Sequence, residues 1–199
     1  MPKLIDSNKR KDWIAEAAWR VILKHGIEGA SARNIAKEAG LSLGSLRYYF
    51  TTQEELMEYA NRLIYERITK RADEIFKKDI DPREKIVQVL YELIPKGGEL
   101  AQETEVRLAF KVHALHTKAS YAGDEDGVYM AVKTVMSNLV LLNLLKKETN
   151  LALETERLYS FMDGLALDSL LRPEHLDETK IGELLIYHLN TICKEETRG

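Results

Sequence analysis

Apolar residues recur at every third or fourth position along most of this 199-residue chain, which is the period of an α-helix. No segment shows the strict alternation of apolar and polar residues that predicts a half-buried β-strand. The most regular stripe lies in residues 177–195, where it consists of Ile181, Leu184, Leu185, His188, Leu189 and Ile192. The pattern therefore predicts an all-α protein.

Glycine, proline and helix-capping residues divide this pattern into nine predicted helices. Ser31, Ser42 and Asp81 stand where N-caps are expected, and Thr52 with Glu55 forms a capping box. The predicted helices cover residues 9–25, 32–39, 42–49, a long segment that opens at 52, and residues 82–95, 99–118, 126–147, 152–172 and 177–195.

The fourth helix is expected to connect two domains. An N-terminal domain of residues 1–55 contains three helices with the order of a helix-turn-helix, and residues 56–199 form a C-terminal helical bundle. We expect the first domain to bind DNA and the second to bind a ligand and to dimerise.

The charge of the chain is divided unevenly, although its net value is only −3 at pH 7. Residues 1–50 contain nine Lys or Arg and five Asp or Glu, which gives +4, and the rest carries 20 basic and 27 acidic residues, which gives −7. A basic domain joined to an acidic one is typical of a protein in which only the first domain meets phosphate groups. The charge favours nucleic acid as the partner of the N-terminal domain.

Residues 31–50, with the sequence SARNIAKEAGLSLGSLRYYF, have the pattern of two short helices joined by a tight turn. Gly40 supplies the left-handed backbone that such a turn needs. The outward side of the second helix is then available to the major groove, with Ser42, Leu43, Ser45, Arg47, Tyr48 and Tyr49. Arg47 can form a two-pronged bond to guanine O6 and N7, and its alternative is a surface ion pair with Glu38 or a neighbour.

This stretch resembles the DNA-binding domain of the TetR (tetracycline repressor) family of bacterial transcription regulators. The resemblance covers about the first quarter of the chain without gaps. It is carried by Ile14, Ala17, Ala18, Gly26, Ser31, Arg33, residues 35–42, residues 44–46, Tyr48, Phe50 and residues 54–56. A further run, residues 162–167 with Leu170, Leu171 and Pro173, is similar to the C-terminal helix of the betaine-responsive-regulator branch.

The resemblance implies a role for individual residues of the helix-turn-helix. It implies a phosphate contact for Tyr48. Base reading is implied for Ser45, Arg47 and Tyr49, and positioning of the DNA backbone for Ser31, Arg33, Ser42 and Thr52. Many members carry a basic residue where this chain has Leu43, and another near Gln53, and both residues are uncharged here.

The resemblance also implies a homodimeric regulator, in particular a repressor that binds a palindromic operator and is released by a small-molecule effector. The last two helices carry enough apolar surface for a dimer interface, which we expect to contain Leu158, Phe161, Leu165, Leu185, His188, Leu189 and Ile192. A ligand pocket between the central helices is expected to use Phe110, His113, Tyr129 and Met162. A constitutive DNA binder without a ligand is the alternative.

Other signals are weaker. His113 and His116 lie three residues apart and could serve a helical-bundle enzyme or a metal, but we expect no enzyme, no metal and no cofactor, because the chain has no cofactor motif. Residues 40–44 match a serine nucleophile elbow, although a helix rather than a strand precedes them. Residues 9–11 could contact the minor groove or the phosphates of DNA, or form a disordered, solvated arm.

Cysteine content and hydropathy indicate the compartment. The single Cys193 cannot form an internal disulfide, and neither a signal peptide nor an uninterrupted membrane span is evident. We therefore expect a cytoplasmic protein that has no contact with a membrane.

Overall fold

The computed structural model describes residues 7–95, 97–117 and 126–194. Within these ranges no β-strand occurs, and the one isolated bridge joins Leu145 to Cys193. The helices are α1 (Ser7–His25), the 3-10 helix η1 (Ile27–Gly29), α2 (Ala32–Glu38), α3 (Leu43–Tyr49), α4 (Gln53–Phe76), α5 (Pro82–Tyr91), α6 (Gly98–Thr117), α7 (Gly127–Leu141), α8 (Leu151–Leu171) and α9 (Glu178–Ile192). The all-α prediction is confirmed.

Helix α7 ends several residues before its predicted end. Asn143 has a φ of 54°, so its backbone is left-handed. The amide of Leu144 donates to the carbonyl of Leu139, and the amide of Asn143 donates to that of Val140, both at 2.9 Å. These two bonds form a Schellman motif, which closes a helix even where the apolar period continues.

Helix α5 is also shorter than predicted. After Tyr91 the amides of Leu93 and Ile94 donate to carbonyls three residues back, both at 3.1 Å. Such bonds belong to a tighter 3-10 turn, and Pro95 follows it. The predicted helix ends at residues 118 and 195 lie outside the described residues.

The described part of the chain divides into two compact units. The first unit contains residues 7–67 and 105–117, and the second contains residues 68–95, 97–104 and 126–194. Helices α4 and α6 therefore contribute residues to both units. The core of the first unit comes from α1 to α4 and includes side chains that are at most 1% exposed, namely Ile14, Ala18, Ile35, Leu46, Phe50, Leu56 and Ile64.

The core of the second unit uses the inner faces of α5, α7, α8 and α9. Its buried side chains include Ile86, Leu90, Val132, Val135, Leu139, Leu158, Met162, Ile181 and Leu185. The regular apolar stripe of α9 is therefore the face that the helix turns toward its own chain.

This packing corrects the predicted dimer interface. Leu158 and Leu185 are 0% exposed and Leu189 is 1% exposed within the single chain. Leu165, His188 and Ile192 are also buried, and of the seven predicted residues only Phe161 is half-exposed. A side chain that its own chain buries has no surface left for a partner, so a regular apolar stripe cannot by itself distinguish a core face from an interface.

Candidate nucleic-acid interface

The turn between α2 and α3 is built as the sequence predicts. Gly40 has a φ of 66°, and its amide donates to the carbonyl of Lys37 at 3.1 Å. The amide of Leu41 donates to the carbonyl of Ala36 at 2.8 Å, which completes a Schellman motif at the end of α2. The chain can then reverse without leaving these carbonyl groups unpaired.

Serine side chains fix the starts of both short helices. The hydroxyl of Ser31 accepts a bond from the amide of Asn34 at 3.3 Å, and that of Ser42 accepts one from the amide of Ser45 at 3.0 Å. The two hydroxyl groups of Ser42 and Ser45 are 2.9 Å apart and share a further hydrogen bond. The predicted capping roles of Ser31 and Ser42 are confirmed.

Helix α3 presents a polar and aromatic face to the outside. Leu46 is 1% exposed and anchors the helix to the core, whereas Tyr48 is 83% exposed. Arg47 and Ser45 are also exposed, and Tyr49 and Leu43 are half-buried. The rings of Tyr48 and Tyr49 meet edge to face with centroids 5.1 Å apart. An amphipathic helix of this kind can enter a major groove while its inner side holds it in place.

Glu38 does not pair with Arg47. Its carboxylate accepts bonds from Lys24 at 3.1 Å and from Arg20 at 2.9 Å. These bonds, first the one from Lys24 and then the one from Arg20, lower the pKa of the Glu38 carboxyl. Among the described residues Arg47 has no ion-pair partner, so the alternative to base reading, a surface ion pair with Glu38 or a neighbour, does not occur there.

The start of α4 departs slightly from the predicted capping box. The hydroxyl of Thr52 accepts a bond from the amide of Glu55 at 3.1 Å, as expected. The Glu55 carboxylate accepts from the amide of Thr51 at 2.8 Å, one residue before the usual position. Thr52 and Arg33 are both exposed.

Residues 9–11 lie within α1, which begins at Ser7, so they do not form a disordered arm. The ammonium group of Lys11 is 4.0 Å from the Glu55 carboxylate and 5.1 Å from the centre of the Phe50 ring. Lys11 therefore links α1 to the N-terminal end of α4.

Gln53 has a structural role that the sequence does not reveal. Its side-chain amide donates to the carbonyl of Ala30 at 3.2 Å, immediately before the cap of α2. In the same way, the indole N–H of Trp13 donates to the carbonyl of Ala39 at 3.2 Å. Side chain to backbone bonds between distant segments have no sequence period, so no pattern could have indicated them.

Three polar contacts join α1 to α4 within the first unit. The hydroxyl of Tyr59 donates to Asp12 at 2.6 Å, the indole of Trp19 donates to the carbonyl of Ala60 at 3.0 Å, and Arg67 forms an ion pair with Glu16. Burial, followed by the bond to Asp12, raises the pKa of Tyr59. The helix-turn-helix is thus fixed to α4 by bonds as well as by its apolar core.

The residues predicted to bind a ligand belong to different units. Phe110 and His113 lie on the part of α6 in the first unit, where His113 Nδ1 is 3.4 Å from the Glu28 carboxylate. Tyr129 and Met162 lie in the second unit. Met162 is buried, and the hydroxyl of Tyr129 donates to a carboxylate oxygen of Glu156 at 2.7 Å.

The structure also bears on three weaker sequence signals, namely a metal site, a serine nucleophile elbow and a membrane span. In the part of the chain that the structure describes, no three His, Cys, Asp or Glu side chains lie close enough together to hold a metal ion. Ser42, the serine of the nucleophile-elbow match, caps α3 and follows a helix and a turn. None of the helices in the described ranges is both long enough and apolar enough to span a bilayer.

A capped helix-turn-helix with an exposed Arg and Tyr face defines a DNA-binding protein. Comparison with known families identifies it further. The family described as "Bacterial regulatory proteins, tetR family" matches residues 14–60, and "BetI-type transcriptional repressor, C-terminal" matches residues 82–194. The chain belongs to the TetR family and is a DNA-binding regulator of transcription.

Individual relatives span almost the whole chain. The HTH-type transcriptional regulator PksA of Bacillus subtilis is 46% identical over 198 residues, which cover 100% of this chain and 97% of that protein. The nicotine-responsive transcriptional repressor HdnoR of Paenarthrobacter nicotinovorans is 24% identical and covers 85% of this chain and 88% of that protein. A solved regulator from Saccharomonospora viridis in complex with choline has the same fold, with a TM-score of 0.77, 20% identity, and coverage of 94% and 100% of the two chains.

Proposed function

We propose that the protein is a cytoplasmic repressor that binds a palindromic operator as a homodimer and leaves it when a small molecule binds. The observation that carries the DNA-binding part is the exposed Arg47 on α3, since the carboxylate of Glu38 is bonded to Arg20 and Lys24 instead. A guanidinium without an internal partner on a groove-facing helix is available for guanine O6 and N7.

The remaining residues of the face have complementary roles in this proposal. Arg47 reads a base together with Ser45 and Tyr49. Tyr48, which is 83% exposed, contacts a phosphate. Phosphate contacts fix the position of the protein on the duplex, and base contacts select the sequence. Positioning of the DNA backbone falls to Ser31, Arg33, Ser42 and Thr52, with Leu43 at the edge of the face.

Selection of bound duplexes from a random pool tests the proposed operator. Two recognition helices related by a two-fold axis read half-sites about 34–36 Å apart, which corresponds to about 10–10.5 base pairs or a multiple of one turn. The selected sequences are therefore expected to be inverted repeats with a fixed centre-to-centre spacing. Recovery of single, unrepeated sites would contradict a two-fold dimer on DNA.

For the dimer, we propose the outward faces of α8 and α9 rather than their buried stripes. Leu167 is 47% exposed and Leu171 is 69% exposed on α8, and Ile186 and Tyr187 are 50% and 73% exposed on α9. Large apolar side chains clustered on the surface of a soluble protein usually mark an interaction site. Phe161 stacks on His188 and is half-exposed.

The effector is proposed to bind in the second unit, near Tyr129 and Met162. The rings of Tyr129 and Tyr159 meet edge to face with centroids 5.2 Å apart, beside the buried Asp126, which accepts from the Tyr159 hydroxyl at 2.6 Å. Aromatic rings with a few fixed polar groups are typical of ligand sites. Because similar proteins are a nicotine-responsive repressor and a choline-bound regulator, small organic cations are the first candidates.

A thermal-shift screen of metabolites tests the effector. A ligand that binds only the folded protein, held at a hundred times its dissociation constant, stabilises it by about 2.7 kcal/mol. Each stabilising compound is then added to the complex of protein and selected DNA. Release of the duplex supports a ligand-controlled repressor, and a complex that no stabilising compound releases would favour the alternative of a constitutive binder.

A further inference from the structure

A groove of about 360 Å³ lies between η1 and the part of α6 in the first unit. Its walls consist of Ile27 and Glu28 from η1, and of Leu108, Ala109, Val112, His113 and His116 from α6. The α6 residues are spaced as one side of a helix requires. The volume is at the lower end of the range of small-molecule sites, which is about 300–1,000 Å³.

We infer that this groove is a second ligand site, separate from the effector site proposed in the second unit, that it binds a small organic amine with an apolar body, and that its occupation changes the affinity for DNA. Glu28 is the acidic residue of this lining, which contains no Lys or Arg. Its side chain is 87% exposed, so its carboxylate is accessible from the groove mouth. An ammonium group is complementary to this carboxylate, and an anion is repelled by it.

The apolar walls require the rest of the ligand to be apolar. Leu108, Val112 and Ile27 offer hydrocarbon surface, and Val112 keeps 56% of its own surface exposed. A flat ring that covers this surface removes it from water, which is the main source of affinity in such a site. His113, whose Nδ1 is 3.4 Å from the Glu28 carboxylate, holds that carboxylate near α6.

The groove is connected by hydrogen bonds to the helix-turn-helix. The carbonyl of Gly29, at the end of η1, accepts from the side-chain amide of Asn34 on α2 at 2.9 Å and from the backbone amide of Ser31 at 2.9 Å. The carbonyl of Ala30 accepts from Gln53 at the start of α4. A ligand that holds η1 against α6 therefore acts on the segment that positions α2.

Three ring compounds of nearly equal size separate charge from shape. Benzylamine, benzyl alcohol and benzoate are titrated into the full-length protein, and methyl and imidazole resonances are followed by NMR. Benzylamine is expected to shift the resonances of Ile27, Leu108, Val112, His113 and His116 in a saturable way. Benzyl alcohol should bind at least threefold more weakly, and benzoate should produce no saturable shift.

Variants locate the site. Glu28→Gln is expected to weaken benzylamine binding two- to fivefold, the range of an exposed charge contact. Val112→Ser should weaken it at least threefold. The matched controls are Glu105→Gln and Leu115→Ser, both on α6 and both outside the groove lining. They alter an exposed charge and an 80% exposed leucine. Neither control should change the affinity for benzylamine.

The effect on DNA is measured with the duplex selected from the random pool. Benzylamine should change the dissociation constant for this duplex at least twofold with the native protein, and Val112→Ser should need at least threefold more benzylamine for the same change. Equal binding of benzylamine, benzyl alcohol and benzoate, or saturable shifts confined to residues outside the groove, would overturn the inference. Benzylamine bound in the groove with an unchanged dissociation constant for DNA would overturn its regulatory part.

Discussion

The hydroxyl group of Tyr91 on α5 occupies the space where a Cβ atom on Gly182 of α9 would lie. The same hydroxyl donates to the carbonyl of Glu178 at 2.8 Å, which fixes the ring over the first turns of α9. Gly182 is buried in the second unit, so the two helices approach closely at this point because the glycine has no side chain.

Gly182→Ala is therefore expected to destabilise the protein by about 1–3 kcal/mol, because the added methyl group displaces a ring that is held at both ends. Urea unfolding measures the change. Gly164→Ala is the control, since a Cβ there meets nothing within 4 Å and alanine favours the helix by up to about 1 kcal/mol. If both variants have the same stability, the close approach of Tyr91 is not a constraint on the sequence.

His188 should make stability depend on pH. Burial against the Phe161 ring, and then the charge of Arg157, lower the pKa of His188, and Glu154 opposes them. The unfolded chain then binds this proton at higher pH than the folded one. The contribution of neutral His188 to the free energy of unfolding is fully present above the ordinary histidine pKa of about 6.5. It decreases as the pH falls below that pKa.

Urea titrations at several pH values between 7.5 and 5 test this sign. His188→Phe, which can still stack on Phe161, is expected to reduce the loss of stability toward low pH while leaving the m value unchanged. An identical pH dependence in the variant and the native protein would show that His188 does not titrate differently on folding.

Neighbouring residues of α9 distinguish core from interface. Ile186→Glu places a charge on the 50% exposed outer face and should yield a folded monomer. Leu185→Glu buries an unpaired charge in the core and should unfold the second unit. Light scattering and circular dichroism separate these outcomes. A stable dimer of Ile186→Glu would place the interface elsewhere.

Most of the fold could be predicted from the sequence, because helix caps and apolar periods are local signals. Gly40 predicts the turn and Ser42 predicts the start of α3, and the structure places both as expected. The end of α7 at Asn143 cannot be predicted, since its left-handed backbone ends the helix within a continuing apolar run. Periodicity shows that a face of α9 is buried and not what buries it, so the sequence alone cannot distinguish a dimer interface from the core at this stripe.

Within the binding face, the sequence supplied the residue types but not their bonds. The pairing of Glu38 with Arg20 and Lys24 depends on how α1 packs beside α2, which no local pattern specifies. The same holds for Gln53, whose bond to Ala30 joins segments 23 residues apart.

Gln53 provides a test of phosphate contact at the start of α4. Gln53→Lys should add a contact with the DNA backbone, so the plot of log affinity against log salt should steepen by about 0.9 for each contact added. It should also lower stability by about 0.5–1.5 kcal/mol, because the bond to Ala30 is lost. Gln102→Lys, on an exposed position of α6 in the second unit, should leave the salt slope unchanged. An equal slope for Gln53→Lys and the native protein would place the start of α4 away from the DNA.

The base-reading role of Arg47 is tested most directly by measuring the affinity of Arg47→Ala for the selected duplex and for its single-base variants. Arg62→Ala, an exposed arginine of α4 that pairs with Glu66, is the control. We expect Arg47→Ala to lose about 1–3 kcal/mol of binding free energy and its preference at one base position in each half-site. Unchanged affinity and unchanged base preference in Arg47→Ala would contradict recognition of DNA through this face of α3.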